Sequence, residues 1–338
     1  MSCPIICEVS TKNLLSNVKK VKSLIGEKPK FYAVVKSDAY GHGLVGVSNV
    51  LYPIVDGFCV SLASEALTLR LSGCDKEILL LTPATKSSLE SLILKDITLT
   101  VCDRRQVIDI AEACSHLGRV AKVHVKLNTG MNRLGASTLN EINGILNVAS
   151  LSGIKVAGAY SHLGDVLNKK YLLSQREEFL RLIDPIKNYD HEIVAHLSSS
   201  GGILNGKDNY FDGVRSGIML YGYAPFKTDL IKLDPVMKVY AKTLAVRKNI
   251  EKGNLLYGSK KYSKSAVTIV RMGYADGFFR GGDKLNPPLC MDLSVIDGEH
   301  LEDYALVMDD ALALSKRYKT IPYEILTSCS KRAKIIYI

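Results

Sequence analysis

The sequence has no tryptophan, no Cys-x-x-Cys pair and no His-Glu-x-x-His segment, and each absence narrows what the chain can be. Without clustered cysteines or histidines there is no zinc-site spacing, and no metal is expected. The eight cysteines (Cys3, Cys7, Cys59, Cys74, Cys102, Cys114, Cys290 and Cys329) are scattered over 338 residues. That is unlike the dense frameworks of small secreted domains, so they read as reduced, mostly buried thiols. No apolar run approaches the ~18–20 residues needed to span a bilayer. The clearest uninterrupted one, residues 78–81, is strand-sized. Residues 1–10 lack a basic stretch followed by a long apolar one, so no secretory signal is expected, no membrane partner, and a cytoplasmic location. With no tryptophan, and tyrosines not interleaved with arginines, there is no stacking platform for nucleic acid. The net charge of +10 is spread along the chain and reads as a solvated basic surface, one that also helps gather an anionic ligand.

What is present is the composition of an ordinary globular protein, 47% hydrophobic and 23% charged, with a strong alternation of patterns. Short apolar runs lie at 31–35, 57–62, 78–81, 97–101, 121–127, 154–160, 193–197 and 214–220. Between them the apolar residues take helical spacing. Leu14, Leu15, Val18, Val21 and Leu24 make one stripe, Val107, Ile108, Ala111 and Ala113 another, and Ile142, Ile145, Leu146 and Ala149 a third. Ser10-Thr11 and Ser137-Thr138 sit where helix N-caps are expected. Alternating strand and helix patterns predict a parallel α/β architecture. A doubly wound sheet would fit the alternation as well. The count of eight strands and the length favour an N-terminal (β/α)8 TIM-type barrel over residues 8–227. After Pro225 the texture becomes β-rich, with strands at 236–247, 265–272, 289–295 and 334–338 and one helix at 311–319. A mainly β C-terminal domain over 228–338 is expected, with a strand from residues 1–7 joining it.

The most informative segment is Phe31-Tyr-Ala-Val-Val-Lys36-Ser-Asp-Ala-Tyr40-Gly-His-Gly43. A lysine directly after an apolar strand and before a Gly-rich turn puts its amine at the mouth of a barrel, where active sites are built. An amine there can form a Schiff base with a carbonyl cofactor if its basicity is lowered. A lone lysine ending a strand is ordinarily just a surface residue.

This segment resembles the AVVKADAYGHG signature of the alanine racemase family, with Ser37 in place of alanine. The resemblance implies a pyridoxal 5'-phosphate cofactor on Lys36, with Tyr40 beside its phosphate. Lys126-Leu-Asn-Thr-Gly-Met-Asn-Arg133-Leu-Gly is similar to the family's K-x-D-T-G-M-x-R-L-G. It implies a substrate-side Arg133 and a supporting Lys126, carbamylated in many members; here Asn128 replaces the aspartate. Tyr160-Ser-His162-Leu implies a histidine under the cofactor ring. His196-Leu-Ser-Ser199-Ser200-Gly-Gly resembles H-x-x-N-S-A, which makes Ser200 a phosphate ligand and leaves Ser199 without a role. Small residues before a helix suit a dianionic phosphate. Val214-Arg215-Ser-Gly217-Ile218 implies an arginine facing the pyridine nitrogen and two backbone N–H contacts to phosphate. An arginine stays charged, so it leaves the ring a weaker electron sink than an acid would, which suits reversible proton transfer and limits side reactions.

In the second half, Met272-Gly-Tyr274-Ala-Asp276-Gly-Phe-Phe-Arg280 is similar to I-G-Y-A-D-G-x-x-R, whose tyrosine is the second catalytic base. Cys290-Met291-Asp292 matches C-M-D, placing Met291 and Asp292 near the substrate carboxylate. Thr320-Ile-Pro-Tyr323-Glu-Ile implies that Tyr323 contacts the phosphate and crowds the substrate side chain. One base on each face of a planar carbanion is the minimal device for racemisation, and both need lowered pKa values. The resemblance further implies a homodimer whose sites are shared, Tyr274 and Met291 coming from the partner. It implies a small amino-acid substrate, alanine before serine or a broader set, and a role in supplying D-alanine for bacterial cell-wall peptidoglycan. Only 16 residues separate Tyr274 from Met291, tens fewer than the family pattern, and the C-terminus lacks the usual R-V-P-R. A barrel-type decarboxylase would carry an acidic partner at the pyridine nitrogen and a C-x-x-x-C-D segment. A non-catalytic pyridoxal-phosphate-binding protein would stop after the barrel.

Overall fold

The computed structural model describes residues 3–248, 256–257, 265–278 and 289–338. Phe279 and Arg280 of the second-half motif, and most of the link between Tyr274 and Met291, lie outside them. After β1 (Ile5–Val9), eight parallel strands follow in order: β2 (Lys30–Val34), β3 (Gly57–Val60), β4 (Glu77–Leu80), β5 (Leu99–Val101), β6 (Ala121–Lys126), β7 (Ile154–Tyr160), β8 (Val194–Ser199) and β9 (Gly213–Ser216). They pair in the order β4-β3-β2-β9-β8-β7-β6-β5. Thr98 closes the ring, its N–H donating to Ile78 and its carbonyl accepting from Leu80 at 3.0 and 2.9 Å. The expected (β/α)8 barrel is therefore the one observed, and eight parallel strands with helices outside bury both faces of the sheet.

Local sequence explains the helices around it. Helix Thr11–Ile25 starts at Ser10, whose hydroxyl accepts from Asn13 N–H, and it buries Leu14, Val18, Val21 and Ile25. Helix Leu139–Ser150 starts with a Thr138–Glu141 capping box and buries Ile142, Ile145, Leu146 and Ala149. In helix Arg104–Leu117 the buried face is Val107, Ile110 and Cys114. Ile108, Ala111 and Ala113 stay half-buried, because spacings of three and four from Val107 select a different stripe from the one read in sequence.

The apolar run 214–220 is strand only to Ser216; Gly217–Gly222 turn back on themselves, Leu220 N–H bonding Gly217 O at 2.9 Å. That stops the strand at the barrel mouth. The second sheet contains β1 with β10 (Met237–Lys248), β11 (Ala266–Val270), β12 (Ser294–Asp297), β13 (Tyr304–Met308) and β14 (Lys334–Tyr337). Strand β1 lies between β10 and β14, antiparallel to the first and parallel to the second. Strand β13 and helix Pro322–Cys329 were not evident in the sequence. The run 289–295 is strand only from Ser294, because Cys290 and Met291 carbonyls accept from Tyr274 and Ala275 N–H at 3.1 and 2.9 Å. Five of the eight cysteines are buried. Among the described residues no helix is long and apolar enough to cross a membrane, and no group of metal-ligating side chains is gathered.

Candidate active site

A cavity of about 780 Å3 opens at the C-terminal ends of the barrel strands, in the size range of small-molecule sites. Lys36, Tyr40, Lys126, Arg133, His162, Ser200, Arg215, Gly217, Ile218 and Tyr323 all line it, so the structure brings these sequence-selected residues together. Against four lysine and arginine side chains, the lining holds one carboxylate among the described residues, Glu324. Such a cavity favours an anionic occupant.

Lys36 stands two residues after the end of β2, with Val35 between, and begins an unusual turn. Ser37, Asp38, Ala39 and Tyr40 all have φ between 52° and 54°, four non-glycine residues in succession in the left-handed region. Left-handed helical backbone costs roughly 1–2 kcal/mol per L-residue, so other contacts must hold this turn. Glu65 accepts from Asp38 N–H and, through its other oxygen, from Ser61 and Leu62 N–H. The Asp38 carboxylate accepts from Leu44 N–H at 2.7 Å. His42 Nδ1 bonds the carbonyls of Ala39 and Tyr40 at 3.0 Å each. Gly41 faces the Leu326 carbonyl so closely that any Cβ would lie 2.3 Å from it. The turn is thus wedged between the barrel and helix Pro322–Cys329. Its product is the placement of Tyr40, which stacks on Tyr221 (4.7 Å, 27°) and faces Gly217. A Cβ on Gly217 would sit 2.6 Å from the Tyr40 hydroxyl oxygen, so only glycine keeps this corner open. The Ser200 hydroxyl accepts from Gly217 N–H at 3.1 Å.

Burial lowers the pKa of Lys36, and the charge of Arg133 adds to the effect. Burial, with Arg215 and Arg133 nearby, holds Lys126 well below the usual lysine range. Its amine lies 4.1 Å from the centre of the Tyr160 ring. A neutral, nucleophilic amine is the chemical requirement for the carbamylation implied at this position. Asn128 does the turn work of the aspartate it replaces: its Oδ1 accepts from Gly130 and Asn132 N–H, and its Nδ2 donates to Asn132 and Ser137. His162 is pushed well below the usual histidine range, first by burial and then by Arg215, so its ring is neutral. Burial raises Tyr323 to about 12, and its ring lies 5.9 Å from that of Tyr40.

Arg215 is 3% exposed and has no carboxylate partner among the described residues. Its Nη1 bonds His196 Nδ1 and the His196 carbonyl at 2.6 and 3.0 Å. Its Nη2 donates to the Ser161 and Leu197 carbonyls at 2.6 and 3.1 Å. Both terminal nitrogens are committed to the barrel, so the Nε–H is the donor left for the cavity. A ring nitrogen with a free lone pair matches that donor. With the cationic lining and the corner that Gly217 leaves open beside Ser200, the residues fit pyridoxal phosphate.

Tyr274, Met291 and Asp292 do not line this cavity. They meet elsewhere, where the Tyr274–Asp276 turn bonds the backbone of Cys290 and Met291. Met291 is 55% exposed. Asp292 pairs with Arg271 and Arg332, both at 3.3 Å, and Arg332 also reaches the buried Asp276 at 3.0 Å. Sequence reasoning did not single out the polar layer beneath the cavity, made of Tyr32, Glu77, His124 and His196. One signal was available: on β6, Lys122, His124 and Lys126 alternate, which puts polar side chains on one face of a barrel strand.

Comparison with known proteins follows the same lines. Residues 9–225 match the family model described as alanine racemase, N-terminal domain. An alanine racemase of Clostridium perfringens is 30% identical over 99% of this chain and 95% of its own length. The solved alanine racemase of Clostridium difficile 630 superposes with a TM-score of 0.92 at 28% identity, covering 100% of this chain and 96% of that one. The alanine racemase of Bartonella henselae, solved with covalently bound pyridoxal phosphate, superposes with a TM-score of 0.85 at 25% identity over 100% of both chains.

Proposed function

The chain belongs to the alanine racemase family and is an amino-acid racemase; from that premise we propose that it interconverts L- and D-alanine with two proton-transferring side chains, Lys36 and Tyr274. The observation that carries this reading is the Lys36 amine at the barrel mouth, lowered in basicity, in a cationic cavity with Tyr40, Ser200, Arg215 and Gly217. When bound, pyridoxal phosphate supplies the electron sink that makes the Cα–H of an amino acid acidic. Lys36 would hold it covalently. Tyr40, Ser200, Tyr323 and the backbone N–H groups of Gly217 and Ile218 would hold its phosphate, and His162 would lie against its ring.

The residues then divide the work. Arg215, a fixed cation with no acid beside it among the described residues, would face the pyridine nitrogen through Nε–H and keep that nitrogen unprotonated. Arg133 would orient the substrate carboxylate. The Lys36 amine moves a proton at Cα on one face, and the Tyr274 hydroxyl moves one on the other. Because Tyr274 and Met291 stand outside the cavity of their own chain, with Met291 exposed, they are read as reaching the partner's cavity in a homodimer with shared sites. The same reading places the protein in the cytoplasm, supplying D-alanine for the cell wall.

Chiral chromatography after incubation with L-alanine, and separately with L-serine, tests the assignment. Conversion of L-alanine to an equal mixture of enantiomers, faster than that of serine, is the expected result. Binding of pyridoxal phosphate with no D-product from either would leave only a cofactor carrier and defeat the proposal.

A further inference from the structure

A row of polar side chains runs through the barrel from Arg215 to the opposite face. His196 Nδ1 receives the Arg215 hydrogen bond at 2.6 Å. His196 Nε2 lies 2.9 Å from His124 Nδ1, and His124 Nε2 lies 3.4 Å from the Glu77 carboxylate, a long electrostatic contact. The other Glu77 oxygen accepts from the Tyr32 hydroxyl at 2.9 Å. Both histidines are fully buried, whereas the Glu77 side chain is 26% exposed and lines a cavity of about 280 Å3 at the floor of the barrel.

The layer is tightly built. Tyr160 stacks on His196 at 4.8 Å with 7° between the planes, and the Tyr32 ring lies 5.6 Å from that of His196, tilted by 31°. Gly158 leaves room for the His124 ring, since any Cβ there would fall 2.6 Å from it.

Hydrogen bookkeeping gives the row a direction. A guanidinium can only donate, so His196 Nδ1 must offer a lone pair. Burial and then the charge of Arg215 keep His196 neutral, so its one hydrogen sits on Nε2 and points at His124. His124 Nδ1 must therefore accept, and its hydrogen is on Nε2, facing Glu77. Every hydrogen points away from Arg215, and the row ends on an anion. Burial pushes the Glu77 carboxyl up, but its contacts with His124 and the Tyr32 hydroxyl outweigh it and hold it below the usual carboxylate range. If the anion were removed, His124 could carry its hydrogen on Nδ1. That hydrogen would oppose the one that Arg215 keeps on His196 Nε2, so the far end of the row would work against the near end instead of with it.

We infer that Glu77 and His124 are positioning residues that reinforce, from the far side of the barrel, the tautomer Arg215 imposes on His196, and with it the orientation and donor strength of Arg215. The effect on turnover rests on the reading of Arg215 as the partner of the cofactor nitrogen; the tautomer chain does not.

The test is nitrogen-resolved NMR of 15N-histidine-labelled protein with pyridoxal phosphate bound, beside kcat and KM, for the wild type, Glu77→Gln and Tyr32→Phe. In the wild type His124 and His196 both carry hydrogen on Nε2. In Glu77→Gln the His124 signal shifts towards mixed tautomers, kcat falls ~2- to 30-fold equally in both directions, the span of remote couplings, and KM stays within twofold. Tyr32→Phe, which keeps the ring in place should the Glu77 variant fail to fold, moves both readouts the same way by less. A wild-type His196 with hydrogen on Nδ1 overturns the chain itself. Tautomers that shift while kcat does not overturn its action on Arg215. A wild type with the expected tautomers and no racemisation would instead count against the proposed function and leave the row intact.

Discussion

Lys36→Ala is expected to abolish racemisation, with turnover falling by more than ~10^4-fold, at the top of the range for losing a positioned acid–base group. The variant loses two things at once: the amine that would hold the cofactor and the base on one face. Intact mass after borohydride treatment gives the companion readout, with the cofactor's mass retained on the wild type and absent from the variant. Folding should survive, because Lys36 follows the strand and points into a cavity, while β2 is held by β3 and β9. Residual racemisation in this variant within tenfold of wild type would remove Lys36 from the mechanism.

Tyr274→Phe is expected to cost ~10^2- to 10^4-fold in racemisation. The loss must be equal in the two directions, because the equilibrium constant between enantiomers is one. The asymmetry shows in a different readout. Exchange of the Cα hydrogen with solvent persists for the enantiomer served by Lys36 and fails for the other. Mixing makes the shared site visible. When Lys36→Ala and Tyr274→Phe subunits are refolded together, half of the randomly paired dimers are mixed, and each mixed dimer has one site with both bases intact. Activity should return to about a quarter of wild type. Mixtures as inactive as their components would mean that each site is built from a single chain.

The features legible in the sequence were those written in consecutive residues or regular spacing. Short apolar runs marked the barrel strands, and period-3.6 spacing marked two of the three helix faces. The strand–lysine–glycine segment marked the barrel mouth. Other features depend on distant partners. The left-handed turn at Ser37–Tyr40 carries no glycine at its four strained positions, and it is held by Glu65 and by the helix at Pro322–Cys329. His124 and His196 meet across 72 residues, and Glu77 enters from a strand whose remaining side chains are all apolar. Asp292 was read beside the substrate carboxylate; the chain by itself gives it two arginine partners. Strand β13 and the helix carrying Tyr323 are short, and burial against the rest of the fold defines them better than local pattern does.

Racemisation of L-alanine in deuterated water, followed by mass and chiral analysis at the earliest times, tests the two-base account most directly. If Lys36 and Tyr274 act from opposite faces, the new D-alanine takes its Cα hydrogen from the solvent-exchanged side chain and is deuterated from the first turnover. D-alanine that keeps the original protium would show one base carrying the same hydrogen from face to face, and would contradict the account.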